Sequence, residues 1–421
     1  MTSDAVRLEA QPFDNAAAGV LPGAVGFFFA FRSFIMVLSV RLLGADPRTG
    51  TGISLSLDYI LLLIIVFSTL GAVRYPFGQM MRLATVRWAV FFLGFTGLSL
   101  LWSSSASLST SIAYWCAMAA DVAIVSLLLR EGPPMDVSAS LMKGYVWGAC
   151  AVALIAWLMP AQSDLRLGDE ELLGANQIGY ICGFGFFFAL YLIRAKKEAF
   201  VVKSVILGVT LLRSLSKTTI LAVLVGGGFL LVSDKSISRR SKMLITILAL
   251  IIVAASWGLL ASYFDIYTNA GNQSETLTGR IGIWAYFFAE ALQQPWIGDG
   301  FDSVWKVVPP FGSDQFEAAH AHNELLQQFY AYGLVGIGMF AGIYVSFFRH
   351  VRMLSRGPLR SFLLAFLIFV LVRGGADTER FDLSLPLWSI VLLSMLIEYE
   401  RLLRQELTST PPEAQTGLLG S

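Results

Sequence analysis

Long apolar segments recur along this chain, and they constrain its fold more than any other feature. A transmembrane helix needs about 20 mostly apolar residues, and the sequence contains twelve stretches near that length. Of the 421 residues, 56% are hydrophobic and only 14% are charged, whereas soluble domains average about a quarter charged residues. Segments in lipid must satisfy their backbone polar groups internally, as helices do. We therefore predict an all-α polytopic membrane protein with about twelve transmembrane helices.

The predicted spans are joined by short polar connections, with one exception. They lie near residues 20–43, 55–73, 86–103, 108–129, 142–160, 172–193, 200–215, 217–232, 243–262, 324–348, 359–374 and 382–399. The seventh and eighth are short and close together, which is compatible with a helical hairpin or with one broken helix. The exception is the stretch from Tyr263 to Asn323, which separates the ninth span from the tenth.

The placement of Lys and Arg predicts the orientation, because cytoplasmic loops carry an excess of both. Most of the 30 basic residues share one side if the N-terminus is inside. Residues 1–19 contain no apolar run, so we expect a cytoplasmic tail rather than a cleaved signal peptide. Residues 400–421 form a second cytoplasmic tail. Residues 263–323 then form a large periplasmic loop between the helices of 20–262 and those of 324–399.

Composition also argues against two classes of protein. A net charge of +1 argues against nucleic acid as a partner. The three cysteines, Cys116, Cys150 and Cys182, all lie inside apolar segments. They predict neither a disulfide framework nor a CxxC metal site.

Several basic residues lie on the predicted periplasmic side, close to helix ends. Arg213 and Lys217 flank the turn between the seventh and eighth spans, and Arg373 begins the last outer turn. Each alone is explained by snorkelling or by a local ion pair. As a set on one face with Arg280, they favour an anionic ligand.

The periplasmic loop contains a patterned run from Arg280 to Gln294 that is stopped by Pro295. It is too short to span a membrane and too aromatic to lie free in water, which predicts a helix at the outer interface. Thr278 suits its N-cap position. A helix N-terminus beside Arg280 suits a phosphate group. The alternative is a supporting amphipathic helix whose Arg280 contacts lipid headgroups.

Two of the three histidines stand directly before the tenth span, as His320 and His322. A helix N-terminus favours neutral imidazole, and a neutral histidine beside phosphates could accept a proton from a hydroxyl group. The alternatives are a capping or packing role and a metal site. The sequence has no zinc motif such as HExxH, so we expect no metal cofactor. His350 lies among cytoplasmic arginines, away from this group.

Five motifs together resemble the O-antigen ligases and the Wzy/ExoQ-type polysaccharide polymerases, and the resemblance covers most of the chain. Residues 100–104 (LLWSS) are similar to an early Trp-Ser motif, and residues 174–179 (GANQIG) to a loop motif that here lacks its lysine. Residues 278–284 (TGRIGIW) and 298–300 (GDG) resemble the start of the family's large loop. The most specific match is residues 322–336, where His-Asn is followed after nine residues by Gly-Leu-Val-Gly.

The resemblance implies a metal-independent, GT-C-like glycosyltransferase of the bacterial inner membrane whose active site faces the periplasm. It implies a donor glycan linked to undecaprenyl diphosphate and an acceptor that is another glycan or lipid A-core. The diphosphate is the leaving group, so no nucleotide or metal is required. Besides membrane lipids, it leaves room for a chain-length regulator and a flippase as partners.

The family holds its donor diphosphate with two basic residues, which map here to Arg280 and Lys217. Arg213 would share this role if the turn that contains it is helical. The turn reads Ser216-Lys217-Thr218, where the family usually has Ser-Arg-Gly or Ser-Arg-Thr. Lysine keeps the charge but loses the bidentate geometry. Ser-x-Ser-Lys-Thr is similar to the ExoQ-like branch, which favours a polymerase over a ligase.

The family's loop histidine, which assists the acceptor hydroxyl, maps to His322, with His320 as its partner. Arg373, Glu379 and Asn323 are secondary candidates for acceptor contact or support. The main hypothesis is therefore a polymerase of lipid-linked repeat units of exopolysaccharide or O-antigen, and the first alternative is an O-antigen ligase.

A polysaccharide transporter or flippase is the alternative from another class. Twelve spans fit that class by count. However, the two halves show no repeat, and the predicted membrane interior has few charged residues to mark a substrate pathway. Arg32 and Asp121 are the exceptions.

Overall fold

The computed structural model is helical, with no β-strand in the part of the chain that it describes. It describes residues 16–70, 77–160, 162, 165–169, 172–195, 198–269, 277–303, 320–378 and 384–409. The described helices are α1 (Ala16–Leu43), α2 (Pro47–Thr69), α3 (Phe77–Met80), α4 (Ala84–Leu98), α5 (Leu108–Glu131), α6 (Pro134–Leu158), α7 (Ala175–Ala195), α8 (Val201–Ser214), α9 (Lys217–Ser233), α10 (Arg239–Ala255), α11 (Trp257–Asn269), α12 (Leu277–Ala291), α13 (Glu324–Met353), α14 (Pro358–Gly374) and α15 (Ser384–Ser409). A 3₁₀ turn, Ser99–Leu101, extends α4.

Seven of the described helices are long and apolar enough to cross a membrane: α1, α2, α4 with its 3₁₀ extension, α5, α6, α7 and α13. The prediction of an all-α polytopic membrane protein is therefore confirmed. Helices α8, α9 and α14 occupy three further predicted spans but have only 14, 17 and 17 residues. The helix α15 covers the last one and has a charged C-terminal half. A total of twelve spans stays a prediction.

The predicted ninth span is not one straight helix. Helices α10 and α11 bend by 51° where they meet. At the bend, the backbone N–H of Ser256 donates to the carbonyls of Ile252 and Val253, at 3.0 and 3.1 Å. A new helix begins at Trp257, so this segment is a broken span or a re-entrant loop.

A cluster of aromatic side chains joins α7, α14 and α15 in the core. The rings of Phe187 and Phe369 stack with centroids 4.7 Å apart, and Phe184 meets Phe366 edge to face at 5.5 Å. Trp388 of α15 is fully buried beside them. Aromatic pairs in these geometries add to the energy of burial, so the cluster fixes the positions of the three helices.

Small residues bring α1 and α6 into close contact. A Cβ added to Gly26 would lie 1.9 Å from the carbonyl oxygen of Leu141, and one on Gly144 would lie 1.8 Å from that of Gly23. Such approach of helix backbones is typical of membrane interiors, where small residues replace the hydrophobic driving force. Helix α10, in contrast, buries no residue against the rest of the described chain, as expected for a surface that faces lipid.

A kink in α13 sets the geometry of the loop before it. Gly333 has φ 60° and ψ −161°, a conformation essentially restricted to glycine. The kink releases backbone donors, and the N–H groups of Leu334 and Val335 bond the carbonyls of Pro295 and Trp296 at 2.8 and 3.1 Å. Residues 295–300, which we call the strap, therefore run along the opened side of α13.

The strap also holds the Trp-Ser motif that follows α4. The indole of Trp102 donates to the carbonyl of Gly298 at 3.2 Å, and the backbone N–H of Ser104 donates to Asp299 O at 2.9 Å. On the other side, the N–H of Gly300 donates to Ala331 O at 2.8 Å. The Trp-Ser, Gly-Asp-Gly and Gly-x-x-Gly motifs thus meet at one place, where these hydrogen bonds hold the strap against α13.

Candidate functional site

The two loop histidines precede α13 in a segment fixed by Asn323. The side chain of Asn323 caps α13 by accepting from Leu326 N at 3.0 Å, and its Nδ2 donates to Gly375 O at 2.9 Å. Asn323 therefore ties the start of α13 to the turn after α14. His322 itself has φ +48°, a left-handed conformation that is uncommon outside glycine and often marks a functional site.

His322 faces a buried carboxylate. Its Nδ1 lies 3.4 Å from Oδ1 of Asp377, a residue that is only 1% exposed. The same oxygen accepts from Thr378 N at 3.0 Å, and Arg373 Nη2 lies 3.8 Å from Oδ2. Burial alone would raise the pKa of Asp377, but the hydrogen bond from His322 and the charge of Arg373 outweigh it and hold this pKa below its usual range. Asp377 is therefore an ionised partner for His322.

His320 packs against His322, with ring centroids 3.9 Å apart. Burial and the neighbouring groups His322, Arg373 and Arg280 lower the pKa of His320 to about 3, against the opposing charge of Asp377. His320 is therefore neutral, as expected, and burial is the largest cause of its lowered pKa. The backbone N–H of His322 donates to His320 Nδ1 at 3.4 Å, so the proton of this ring is on Nε2.

Two guanidinium groups lie beside this pair of histidines. Arg280, in the first turn of α12, donates from Nη1 to the carbonyl of Ala376. Arg373, at the end of α14, is 2% exposed and stacks over the ring of Tyr180 at 3.9 Å, a favourable cation–π geometry. Both charges act on His320, so three distant segments place two cations and two imidazoles in one region.

Two donors on α12 have no hydrogen-bond partner among the described residues. They are Nε of Arg280 and Nε1 of Trp284, and both atoms are buried. The residues are four apart and so lie on one face of the helix. The described helix begins at Leu277, before Thr278, so the predicted N-cap at Thr278 is wrong: this residue lies in the first turn.

Glu324 stabilises the same region through two hydrogen bonds. Its Oε1 accepts from Gln328 Nε2 and its Oε2 from Thr378 Oγ1, each at 2.6 Å. These bonds join the first turn of α13 to the residue after Asp377. The His322–Asp377 pair is thus held from both sides.

The basic turn between α8 and α9 is not helical. Leu215 has φ +56° and ends α8, so the condition under which Arg213 would share the role of Lys217 is not met. Arg213 donates to Leu165 O at 2.5 Å, and Lys217 Nζ lies 5.4 Å from the ring centroid of Tyr263. These contacts direct the two side chains towards the loop before α7 and towards α11.

The basic turn nevertheless lies at the same end of the bundle as the histidines. Thr219 and Phe369 would both contact a Cβ on Gly183, and Arg373 is one helical turn beyond Phe369. The GANQIG motif also packs here, because a Cβ on Gly179 would lie 2.6 Å from Cβ of Ser216.

The structure thus brings five of the predicted site residues into one group: Arg280, His320, His322, Asn323 and Arg373. Arg213 and Lys217 lie at the same end of the bundle, and Glu379 lies outside the described residues. Sequence reasoning missed Asp377 and Tyr180. The spacing of Asp377, four residues after Arg373 in the polar turn that follows α14, was the available indication of the first.

Comparison with protein families gives a match that covers part of this site. Residues 202–341 match the family model described as O-antigen ligase. This part of the chain is similar to the O-antigen ligases. The matched range includes the basic turn, Arg280 and both loop histidines, and the resemblance drawn from the motifs is confirmed. A search for similar curated proteins found no match.

Proposed function

We propose that this protein polymerises undecaprenyl-diphosphate-linked oligosaccharide repeat units at the periplasmic face of the bacterial inner membrane. The observation that carries the proposal is the His322–Asp377 pair beside the two arginines Arg280 and Arg373. A base oriented by a buried carboxylate, next to paired cations, suits transfer of a group from a diphosphate to a hydroxyl.

The reaction proceeds in one displacement. The acceptor hydroxyl attacks the anomeric carbon of the donor glycan, and the bond from that carbon to the diphosphate oxygen breaks. With Nδ1–H of His322 directed at Asp377, its Nε2 takes the proton of the acceptor. Undecaprenyl diphosphate leaves with the bonding electrons. The 3.4 Å separation of Nδ1 and Oδ1 is long, but such bonds often tighten only when substrate is bound.

The donors on α12 suit the diphosphate. Nε of Arg280 and Nε1 of Trp284 are buried and lack partners among the described residues, and a buried donor without an acceptor is costly. A phosphate oxygen would accept from both. Arg373 adds a second positive charge, and together they would stabilise the charge that develops on the leaving group. Lys217, at the same end, is a further contact for the donor.

The experiment uses purified protein in nanodiscs with lipid-linked repeat units as the sole substrate. We expect the wild type to form a ladder of glycan lengths. His322→Ala and Arg280→Ala should each abolish the ladder, whereas His350→Ala should not. His350 is a matched control, because it lies far along α13 and contacts Thr85. If His322→Ala and Arg280→Ala leave the ladder unchanged, the proposal is wrong.

An O-antigen ligase is the second candidate, and the similarity of residues 202–341 to the O-antigen ligase family favours it. The chemistry is the same, with lipid A-core as the acceptor. Adding lipid A-core to the same assay separates the two functions. A ladder without lipid A-core supports a polymerase, and product only with lipid A-core supports a ligase.

A further inference from the structure

A polar cavity of about 320 Å³ lies between α1, α2 and α5. Its volume is near the lower limit of small-ligand sites. The polar part of its lining includes Arg32, Ser33, Ser54, Asp58, Asp121 and Gln177. Charged groups within membrane helices are rare and usually functional, so this cavity needs an explanation that the transfer chemistry does not supply.

The two carboxylates of the cavity differ in their partners. Asp121 bonds Arg32 Nη1 at 2.7 Å and also accepts from Ser384. Asp58 lies farther from the guanidinium, at 3.7 Å. Asp58 is 1% exposed, and apart from a hydrogen bond shared with the carboxyl group of Asp121, its two oxygens have no hydrogen-bond partner among the described residues. The remaining lone pairs of this buried carboxyl group accept no hydrogen bond, which is costly, so the cavity suits a ligand that donates hydrogen bonds.

The charges restrict the class of that ligand. Two carboxylates face one guanidinium, which disfavours a phosphate or another anion. The guanidinium of Arg32, within 3.7 Å of Asp58, also opposes a bound metal cation. A neutral group with several hydroxyls fits the remaining requirement. The apolar side chains of Met36, Leu55 and Met118 line the cavity as well, and they suit the C–H face of a sugar ring.

The cavity lies at the same end of the bundle as the histidines. Gln177, which donates to Ser33 Oγ at 3.0 Å, is in the first turn of α7. One turn later, Tyr180 carries the stacked guanidinium of Arg373. Ser384, which bonds Asp121, begins α15. A glycan held near the His322–Asp377 pair could therefore extend a residue into the cavity.

We propose that this cavity binds one neutral sugar ring of a glycan substrate, with Asp58 accepting hydrogen bonds from its hydroxyls. This inference rests on the proposed function, because it assigns a subsite to the same substrate. It adds a specificity site, remote from the transfer chemistry, that selects neutral sugars.

The test measures binding of free sugars to the full-length protein in nanodiscs by saturation-transfer-difference NMR. The probes are glucose, galactose, rhamnose and N-acetylglucosamine. We expect at least one to bind the wild type, and Asp58→Asn to weaken that binding about tenfold, as loss of a buried hydrogen-bond acceptor does. Ala117→Leu keeps every charge but fills the cavity, and it should weaken binding similarly.

The matched control is Asp46→Asn. Asp46 is the N-cap of the same helix α2 but lies outside the cavity, and asparagine is an equally good cap. This variant should bind sugar as the wild type does. Melting temperatures of all variants are measured in parallel, so that unfolded protein is recognised.

The inference is overturned if no probe binds the wild type, or if Asp58→Asn and Ala117→Leu, both folded, bind sugar unchanged. Its failure is distinct from that of the proposed function. Arg280→Ala and His322→Ala should keep sugar binding while they lose transfer. In the transfer assay, Asp58→Asn should raise KM for the glycan with little change in kcat.

Discussion

Replacing Asp377 by Asn tests the central feature of the site. Asn keeps the shape of the side chain but removes its charge, and its amide can present N–H groups to Nδ1 of His322. The imidazole would then favour the tautomer that carries its proton on Nε2, where it cannot accept one. A positioned general base contributes about 10²–10⁴-fold in rate. Because the Nδ1–Oδ1 distance is 3.4 Å, we expect the lower part of this range, about 10²-fold in kcat, or ~2.7 kcal/mol.

The assay is the initial rate of glycan extension in nanodiscs at saturating lipid-linked substrate. Asp234→Asn is the matched control, because Asp234 is also buried and paired with an arginine, Arg194, but lies at the opposite end of α9 from Lys217. The control should keep its rate. A folded Asp377→Asn variant with more than half of the wild-type kcat would refute the role given to the His322–Asp377 pair.

Three other predictions test neighbouring features. Arg280→Ala should lower the transfer rate at least tenfold, with partial recovery in Arg280→Lys, and the exposed Arg240→Ala on α10 should leave the rate unchanged. His320 contributes stability that is complete above its unfolded pKa of ~6.5 and is lost as the pH falls towards its folded pKa of about 3, at up to ~1.4 kcal/mol per pH unit. Between these pH values, the melting temperature of His320→Gln should therefore change less with pH than that of the wild type. Identical slopes of melting temperature against pH would contradict the assignment. Gly333→Ala places a Cβ 2.3 Å from the backbone of Trp296, in a conformation that costs ~1–3 kcal/mol outside glycine. This variant should therefore have a lower melting temperature. In Gly338→Ala the added Cβ meets nothing within 4 Å, so its melting temperature should not fall.

The fold was largely predictable because membrane helices follow composition. Long, mostly apolar runs predicted α1, α5 and α13 without any tertiary information. The bend between α10 and α11 was not predictable, because the apolar pattern continues through it and only backbone geometry at Ser256 marks the break. Likewise, the sequence left open a hairpin or a broken helix at 200–232. Helices α8 and α9 are separate, and they pack mainly on α7 and α14.

The site was predictable in its residue types but only partly in its partners. The positive charge of Arg373 on the predicted periplasmic side and the motif around His322 identified two segments of the site from sequence alone. The pairing of His322 with Asp377 joins residues 55 positions apart, and a single sequence carries no local pattern for such a contact. The same reason explains why the sequence did not single out Asp58. It is one acid in an apolar run, and its place in a cavity depends on the packing of α2 against α1 and α5.

The spacing of the most specific motif has a structural cause. Between His322 and Gly333 the chain makes about three helical turns, from the cap at Asn323 to the kink. The kink is held by the strap, and the strap follows α12, which carries Arg280. One residue more or fewer would rotate His322 by about 100° relative to the strap, and would turn it away from both Arg280 and Asp377. The nine intervening residues therefore set the orientation of His322 relative to the strap, and the glycine at the end of the motif positions the histidine at its start.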